Sequence, residues 1–116
     1  MTSVRSAVIV YRRATAAVNE TLATCPEGLT LLVKRLLVYN WGTNNAVANI
    51  YLINQTFNAF PFLMRDSLTS QVPVDMETWQ VLMPGDQLAW QTSSGDIDLW
   101  VSGAVLYGTP VGWAPQ

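Results

Sequence analysis

Val81-Leu82-Met83-Pro84-Gly85-Asp86-Gln87-Leu88-Ala89-Trp90, followed by Ile97-Asp98-Leu99-Trp100-Val101-Ser102-Gly103-Ala104-Val105-Leu106, is the stretch that decides the fold. It reads as strand, Pro-Gly-Asp turn, strand, polar turn, strand. Proline presets φ for the first central position of a turn and glycine accepts the positive φ of the second, the pattern of a type II turn. From Ile97 the apolar residues alternate with period two, which places Ile97, Leu99, Val101 and Gly103 on one face and Asp98, Trp100, Ser102 and Ala104 on the other. The first face is core-like. The second mixes an aromatic with small polar residues and suits a wetter face or an interface. No reactive cluster lies between the strands, so the stretch predicts a β protein that works by binding or assembly.

The same grammar extends outward in both directions. Residues 4–12 carry Val8, Ile9, Val10 and Tyr11 and read as a strand, residues 20–25 as a second, and Pro26-Glu27-Gly28 as the turn that follows. A long strand spans residues 29–40 and ends at the polar loop Asn40-Trp41-Gly42-Thr43-Asn44-Asn45. Residues 47–53 form the next, with Ile50 and Leu52 on one face and Tyr51 and Ile53 on the other. Residues 60–64 and 72–74 are short runs interrupted by Pro61 and Pro73, expected at edges or strand ends. Residues 79–83 and 87–91 form a pair around Pro84-Gly85-Asp86, and 97–107 is the last strand. Only residues 14–20 tolerate a helix, and a helix that short is marginal. The sum is an all-β, antiparallel single domain over residues 1–116, a sandwich or a barrel of about eight strands, with no repeat and no linker. Residues 1–13 are either the first strand or an N-terminal arm. Residues 108–116 read as an extended C-terminal tail in which Trp113 is expected to dock on a neighbouring subunit or on its own domain.

Half of the 116 residues are apolar and only 12% are charged, against about 25% in an ordinary soluble domain. The surplus has no membrane outlet, because no apolar run approaches the roughly 18 residues of a spanning helix. Burial against partner subunits accounts for it better. Six basic and eight acidic residues leave a net charge of −2 with no basic stripe, which argues against a nucleic-acid partner. Cys25 is the only cysteine, consistent with folding in a reducing cytosol, and the N-terminus has no signal-peptide h-region.

The chain has no histidine, so the usual general base, the usual zinc ligand and the Ser-His-Asp triad are all missing. Cys25 has no activating partner and is expected to pack as a small hydrophobe. Gly42 and Gly85 stand alone in turns and form no phosphate loop. Asp86, Asp96 and Asp98 are too few for a calcium loop, and Asp86 and Asp96 read as turn caps. The expectation is therefore no enzyme, no cofactor and no metal. Asn19-Glu20-Thr21 and Asn54-Gln55-Thr56 match the glycosylation sequon by chance. The five tryptophans are Trp41, Trp79, Trp90, Trp100 and Trp113. They read as core and subunit interface, with a row of exposed rings for stacking on sugars as the alternative; that alternative needs three or more tryptophans exposed on one face. Arg12, Arg13, Trp41, Trp90, Trp100 and Trp113 are the candidate assembly residues.

Two motifs in this order carry a resemblance. One is residues 19–40, NETLATCPEGLTLLVKRLLVYN; the other is Val81-Leu82-Met83-Pro84-Gly85-Asp86-Gln87-Leu88 with Trp100-Val101-Ser102-Gly103. A strand, a Pro-x-Gly turn, a long apolar strand ending in Asn, a Pro-Gly-Asp turn and a strand ending Ser-Gly resemble the small β-sandwich proteins of tailed-bacteriophage virions. The resemblance covers most of residues 19–106. It implies a jelly-roll cement or decoration protein: a homotrimer on the capsid surface, made in the host cytoplasm, with the major capsid protein or neighbouring virion proteins as partners and neither nucleic acid nor membrane among them. Neck, head-fibre and tail components share that fold; the short chain leaves little room for a receptor-binding domain or shaft and favours cement. No catalytic residue carries over, because these families have no catalytic motif.

Overall fold

The computed structural model describes residues 3–54 and 61–107. Eight strands follow one another there: β1 (Ser3–Ala14), β2 (Asn19–Thr24), β3 (Leu29–Asn40), β4 (Ala46–Ile53), β5 (Phe62–Leu68), β6 (Pro73–Leu82), β7 (Gln87–Thr92) and β8 (Ile97–Tyr107). They form two four-stranded antiparallel sheets in the orders β1-β8-β3-β6 and β2-β7-β4-β5. Only β4 and β5 are neighbours both in sequence and in a sheet. Every other connection crosses from one sheet to the other, which is the double Greek key of a jelly roll. The all-β, jelly-roll sandwich expected from the sequence is the fold.

The structure corrects four readings. Residues 79–83 and 87–91 do not pair: β6 lies beside β3, β7 lies between β2 and β4, and Met83-Pro84-Gly85-Asp86 is a corner between sheets. It is the expected turn all the same, with Gly85 at φ 92° and the Asp86 amide donating to the Met83 carbonyl at 2.9 Å. The runs at 72–74 and 79–83 are parts of one strand, β6, whose first residue is Pro73, where no ladder donor is missed. The short run at 60–64 is replaced by β5, which continues to Leu68. Residues 14–20 hold no helix; they are the end of β1, a bend and the start of β2. Residues 108–116, with Trp113, lie outside the described residues, as do 55–60.

The core lies between the sheets. Leu36, Val38, Leu99 and Val101 from the first sheet meet Ile50, Leu88 and Trp90 from the second, all of them completely buried. Removing such side chains from water stabilises the fold by about 1.5–3 kcal/mol each for the aliphatic ones.

The first sheet is bent by bulges at one level. On β3, Leu31 and Val33 point inward and then Leu36, Val38 and Asn40 do, so Lys34 and Arg35 both face outward where the parity changes. On β1, Ile9 is the extra residue, and Ile9 and Val10 both pack on the core. The two bulges meet the intervening strand one step apart, at Val101-Ser102 for β1 and at Ser102-Gly103 for β3. The backbones close in so far that a Cβ on Gly103 would stand 1.8 Å from the Leu32 carbonyl oxygen. Only glycine fits there, and bulges of this kind bend a sheet and redirect its side chains.

Candidate functional site

The bend opens a shallow depression of about 490 Å³ across the outer face of the first sheet. Ser102 and Gly103 of β8 contribute almost no bulk in its middle. Lys34 and Arg35 of β3 border it on one side, with Glu77 and Trp79 of β6 beyond them, and Val8 of β1 borders the other side. Trp79 is 73% exposed and Val8 63%, large values for apolar side chains on sheet strands. The Lys34 ammonium sits 5.2 Å from the Trp79 ring centroid, within cation–π range. Arg35 grips Asp75 through two N–H donors, one at 2.7 Å, and this holds the Asp75 carboxyl below its usual range. Both partners are solvated, so the pair orients Arg35 more than it stabilises the fold.

Further along the same face stands a second group. Arg13 donates two hydrogen bonds to Asp98, at 2.8 and 2.9 Å, and its guanidinium lies over the Trp41 ring at 5.2 Å. The Trp41 indole N–H also reaches Asp98, at 3.3 Å. Donation from Arg13 outweighs the burial of Asp98 and keeps its carboxyl below the usual range. Beside it the rings of Tyr11 and Trp100 pack at 5.0 Å between centroids. Three of the candidate assembly residues, Arg13, Trp41 and Trp100, therefore come together on one face.

Arg12 and Trp90 belong elsewhere. Trp90 is completely buried, and it lies on β7 while Trp100 lies on β8 of the other sheet, so the two are not neighbours on one face. Its indole N–H donates to Glu20 at 3.0 Å, and Glu20 is paired in turn with Arg12 at 3.2 Å. Arg12, Glu20 and Trp90 thus tie β1 to β2 and β7 along one edge of the sandwich. This is a structural role, and Trp90 presents no surface to a partner. Trp113 lies outside the described residues. Sequence reasoning passed over Val8, Lys34, Arg35 and Trp79 as site residues. The signal was present in β3, where the alternation Leu31, Val33 breaks at Lys34-Arg35 and resumes as Leu36, Val38.

Other apolar side chains stand exposed elsewhere on the described surface, among them Val47, Phe62, Val72 and Met83. On the second sheet, Phe62 packs against Tyr51 and under Arg65, and the Tyr51 hydroxyl donates to Asn19. At one end of the sandwich a polar hollow of about 270 Å³ is lined by loop residues including Asn44, Asn45, Ser94 and Asp96. Cys25 is buried, its thiol directed at the Leu29 carbonyl at 3.3 Å, and burial raises its pKa above the usual range. Asp86 caps its own turn by accepting from the Met83 amide at 3.1 Å. Among the described residues no three His, Cys, Asp or Glu side chains gather as a metal site.

No protein-family model and no curated protein matches the chain. Solved structures do. The fold is similar to a chain in the structure of infectious bursal disease virus, Gx strain, with a TM-score of 0.53 and 17% identity over 99% of this chain and 34% of that one. It is similar also to the D431N mutant VP2 protein of infectious bursal disease virus in derived T=1 particles, with a TM-score of 0.50 and 18% identity over 93% of this chain and 32% of that one. This chain thus spans about a third of the length of those proteins. A looser likeness, TM-score 0.42 at 16% identity, is to a pentameric capsid protein from metagenomic phage sequences, over 92% of this chain and 62% of that one. At such identities the likeness is one of fold.

Proposed function

We propose that this chain is a structural protein of a virion: a jelly-roll cement or decoration protein that seats as a homotrimer on the assembled phage head, against the major capsid protein. The observation that carries the reading is the uncovered outer face of the first sheet, where Trp79, Val8 and Tyr11 stand exposed on rigid strands. A monomer at rest in water gains nothing from such a patch, whereas an assembly protein buries it. A trimer that binds the finished shell better than free shell subunits stabilises the shell by mass action, with no chemistry required. The jelly-roll fold, shared with viral shell proteins, supports the same reading. Neck, head-fibre and tail components would use the same fold and a similar face.

The test is peptide counting by mass spectrometry on gradient-purified virions of the phage that encodes the chain. The expected result is a fixed ratio to the shell protein, in multiples of three. Absence from the particle rejects the role. A glycan-binding module is the reading of another class. It requires three exposed tryptophans on one face; among the described residues Trp79 and Trp41 are exposed and Trp100, half-buried against Tyr11, is not, while Trp113 lies outside them. Titration with oligosaccharides is expected to leave tryptophan fluorescence unchanged.

A further inference from the structure

We infer that two copies of this chain pair face to face through the outer surfaces of their first sheets, about a two-fold axis that runs parallel to the strands between β8 and β3. The pairing goes beyond the trimer proposed above: it rests on the same uncovered face and assigns that face to a second copy of the chain.

Strand order fixes what such an axis brings together. Turning a copy over about the strand direction keeps each level of the sheet and reverses the order β1-β8-β3-β6. β1 of one copy then faces β6 of the other, and β8 faces β3. At the level of the bulges, Val8 meets the region of Trp79 and Glu77 in the second copy, and the shallow Ser102-Gly103 floor meets Lys34 and Arg35. Long side chains thus enter the place where β8 has none. At the next level the register aligns Tyr11, Trp100, Leu37 and Asp75 across the four strands. Reversal sets Trp100 against Leu37 and brings Tyr11 to the level of Asp75 in the second copy. Apolar meets apolar, and the Lys34-Arg35 pairs of the two copies, one strand spacing apart across the axis, are each accompanied by Asp75 and Glu77 of their own copy. The alternative in-plane axis, across the strands at the bulge level, would place β3 on β3 and set those cations directly opposite each other with no lateral offset.

The area is also sufficient. Four strands about 4.8 Å apart and about ten residues long present on the order of 600 Å². A pair therefore buries on the order of 1,200 Å², at the lower bound of stable specific interfaces. Sheets packed in this aligned way stand about 10 Å apart, close enough for Trp79 and Val8 to interdigitate. The interface is isologous and closes on itself, so the pairing does not propagate into fibres.

The test has two parts. Light scattering on the intact chain is expected to give an even number of copies, two alone or six when the trimer also forms, and Val8→Glu or Trp79→Glu should halve it with the β circular dichroism unchanged. For the second part, chains carrying Val8→Cys, marked by a size tag, are co-expressed with chains carrying Trp79→Cys and treated with a bismaleimide of about 10 Å reach, matched to the sheet spacing. The expected product joins a tagged to an untagged chain. Two Val8→Cys positions lie on opposite borders, about 14 Å apart across the strands in addition to the gap, and should not be joined. A monomer or a bare trimer overturns the pairing, and so does a Val8–Val8 product equal to the mixed one. A bare dimer upholds the pairing and rejects the trimer, a bare trimer does the reverse, and six copies uphold both.

Discussion

Trp90 illustrates what a single residue does here. The indole fills the space between the sheets, and its one polar atom reaches the sandwich edge, where Glu20 accepts it and Arg12 holds Glu20. Trp90→Ala is expected to cost about 3–5 kcal/mol in urea unfolding. Trp90→Phe keeps most of the apolar contact and leaves Glu20 paired with Arg12, so it should cost less. Asp98 sets the acid limit. Its carboxyl is held below its usual range by Arg13, so the folded state binds this proton less readily than the unfolded chain does. The stabilisation is fully present above the unfolded value near pH 3.9 and is lost as pH falls through the folded one. Asp75 acts in the same direction through Arg35, more weakly because it is solvated. Melting temperature should therefore be insensitive to these groups above about pH 5 and fall below about pH 4, with a shallower fall in Asp98→Asn, whose starting stability is lower. Cys25, buried and with its pKa raised, should resist thiol reagents until the chain unfolds, as the absence of an activating neighbour in the sequence led one to expect.

At the scale of elements, the bulges in β1 and β3 shape the outer face, and Gly103 is what lets the β3 backbone close on β8. Gly103→Ala pushes a methyl into the Leu32 carbonyl and is expected to cost about 3 kcal/mol or more, measured by chemical denaturation. Gly85→Ala meets open space but a φ of 92°, and should cost about 1–2 kcal/mol. Strand positions were legible because alternation and turn chemistry are local: β3 and β8 span the residues read from the sequence, and Pro84-Gly85-Asp86 and Pro26-Glu27-Gly28 form turns with glycine at positive φ. Strand partners were not legible from turns. A tight Pro-Gly turn reads the same whether it closes a hairpin or a corner between sheets, so β6 and β7 were paired in expectation and are separate in fact. Trp100 is less buried than Ile97, Leu99 and Val101, as period-two alternation leads one to expect, while Asp98 on the same face is buried beneath Arg13. Trp90 was misassigned to a surface because β7 is buried along nearly its whole length, Leu88, Ala89 and Trp90 in succession, and alternation there carries no information.

For the whole molecule, the apolar excess divides in two. Most of it fills the core between the sheets, and the most exposed of the rest, Trp79 and Val8, lie on one outer face beside a depression that small side chains leave open. The composition pointed to subunit burial in general and could not indicate which face, since that depends on bulges bringing Val8, Lys34 and Trp79 to one level across non-sequential strands. The jelly roll supplies a rigid plate for that face, which fits the assembly role proposed above. The most direct test is the mass of the purified protein in solution, followed by light scattering over a wide range of concentration. The expected result is a particle of several 12.8 kDa chains, with the count lowered by Trp79→Glu. A single chain at every concentration, unchanged by that substitution, contradicts the assembly role.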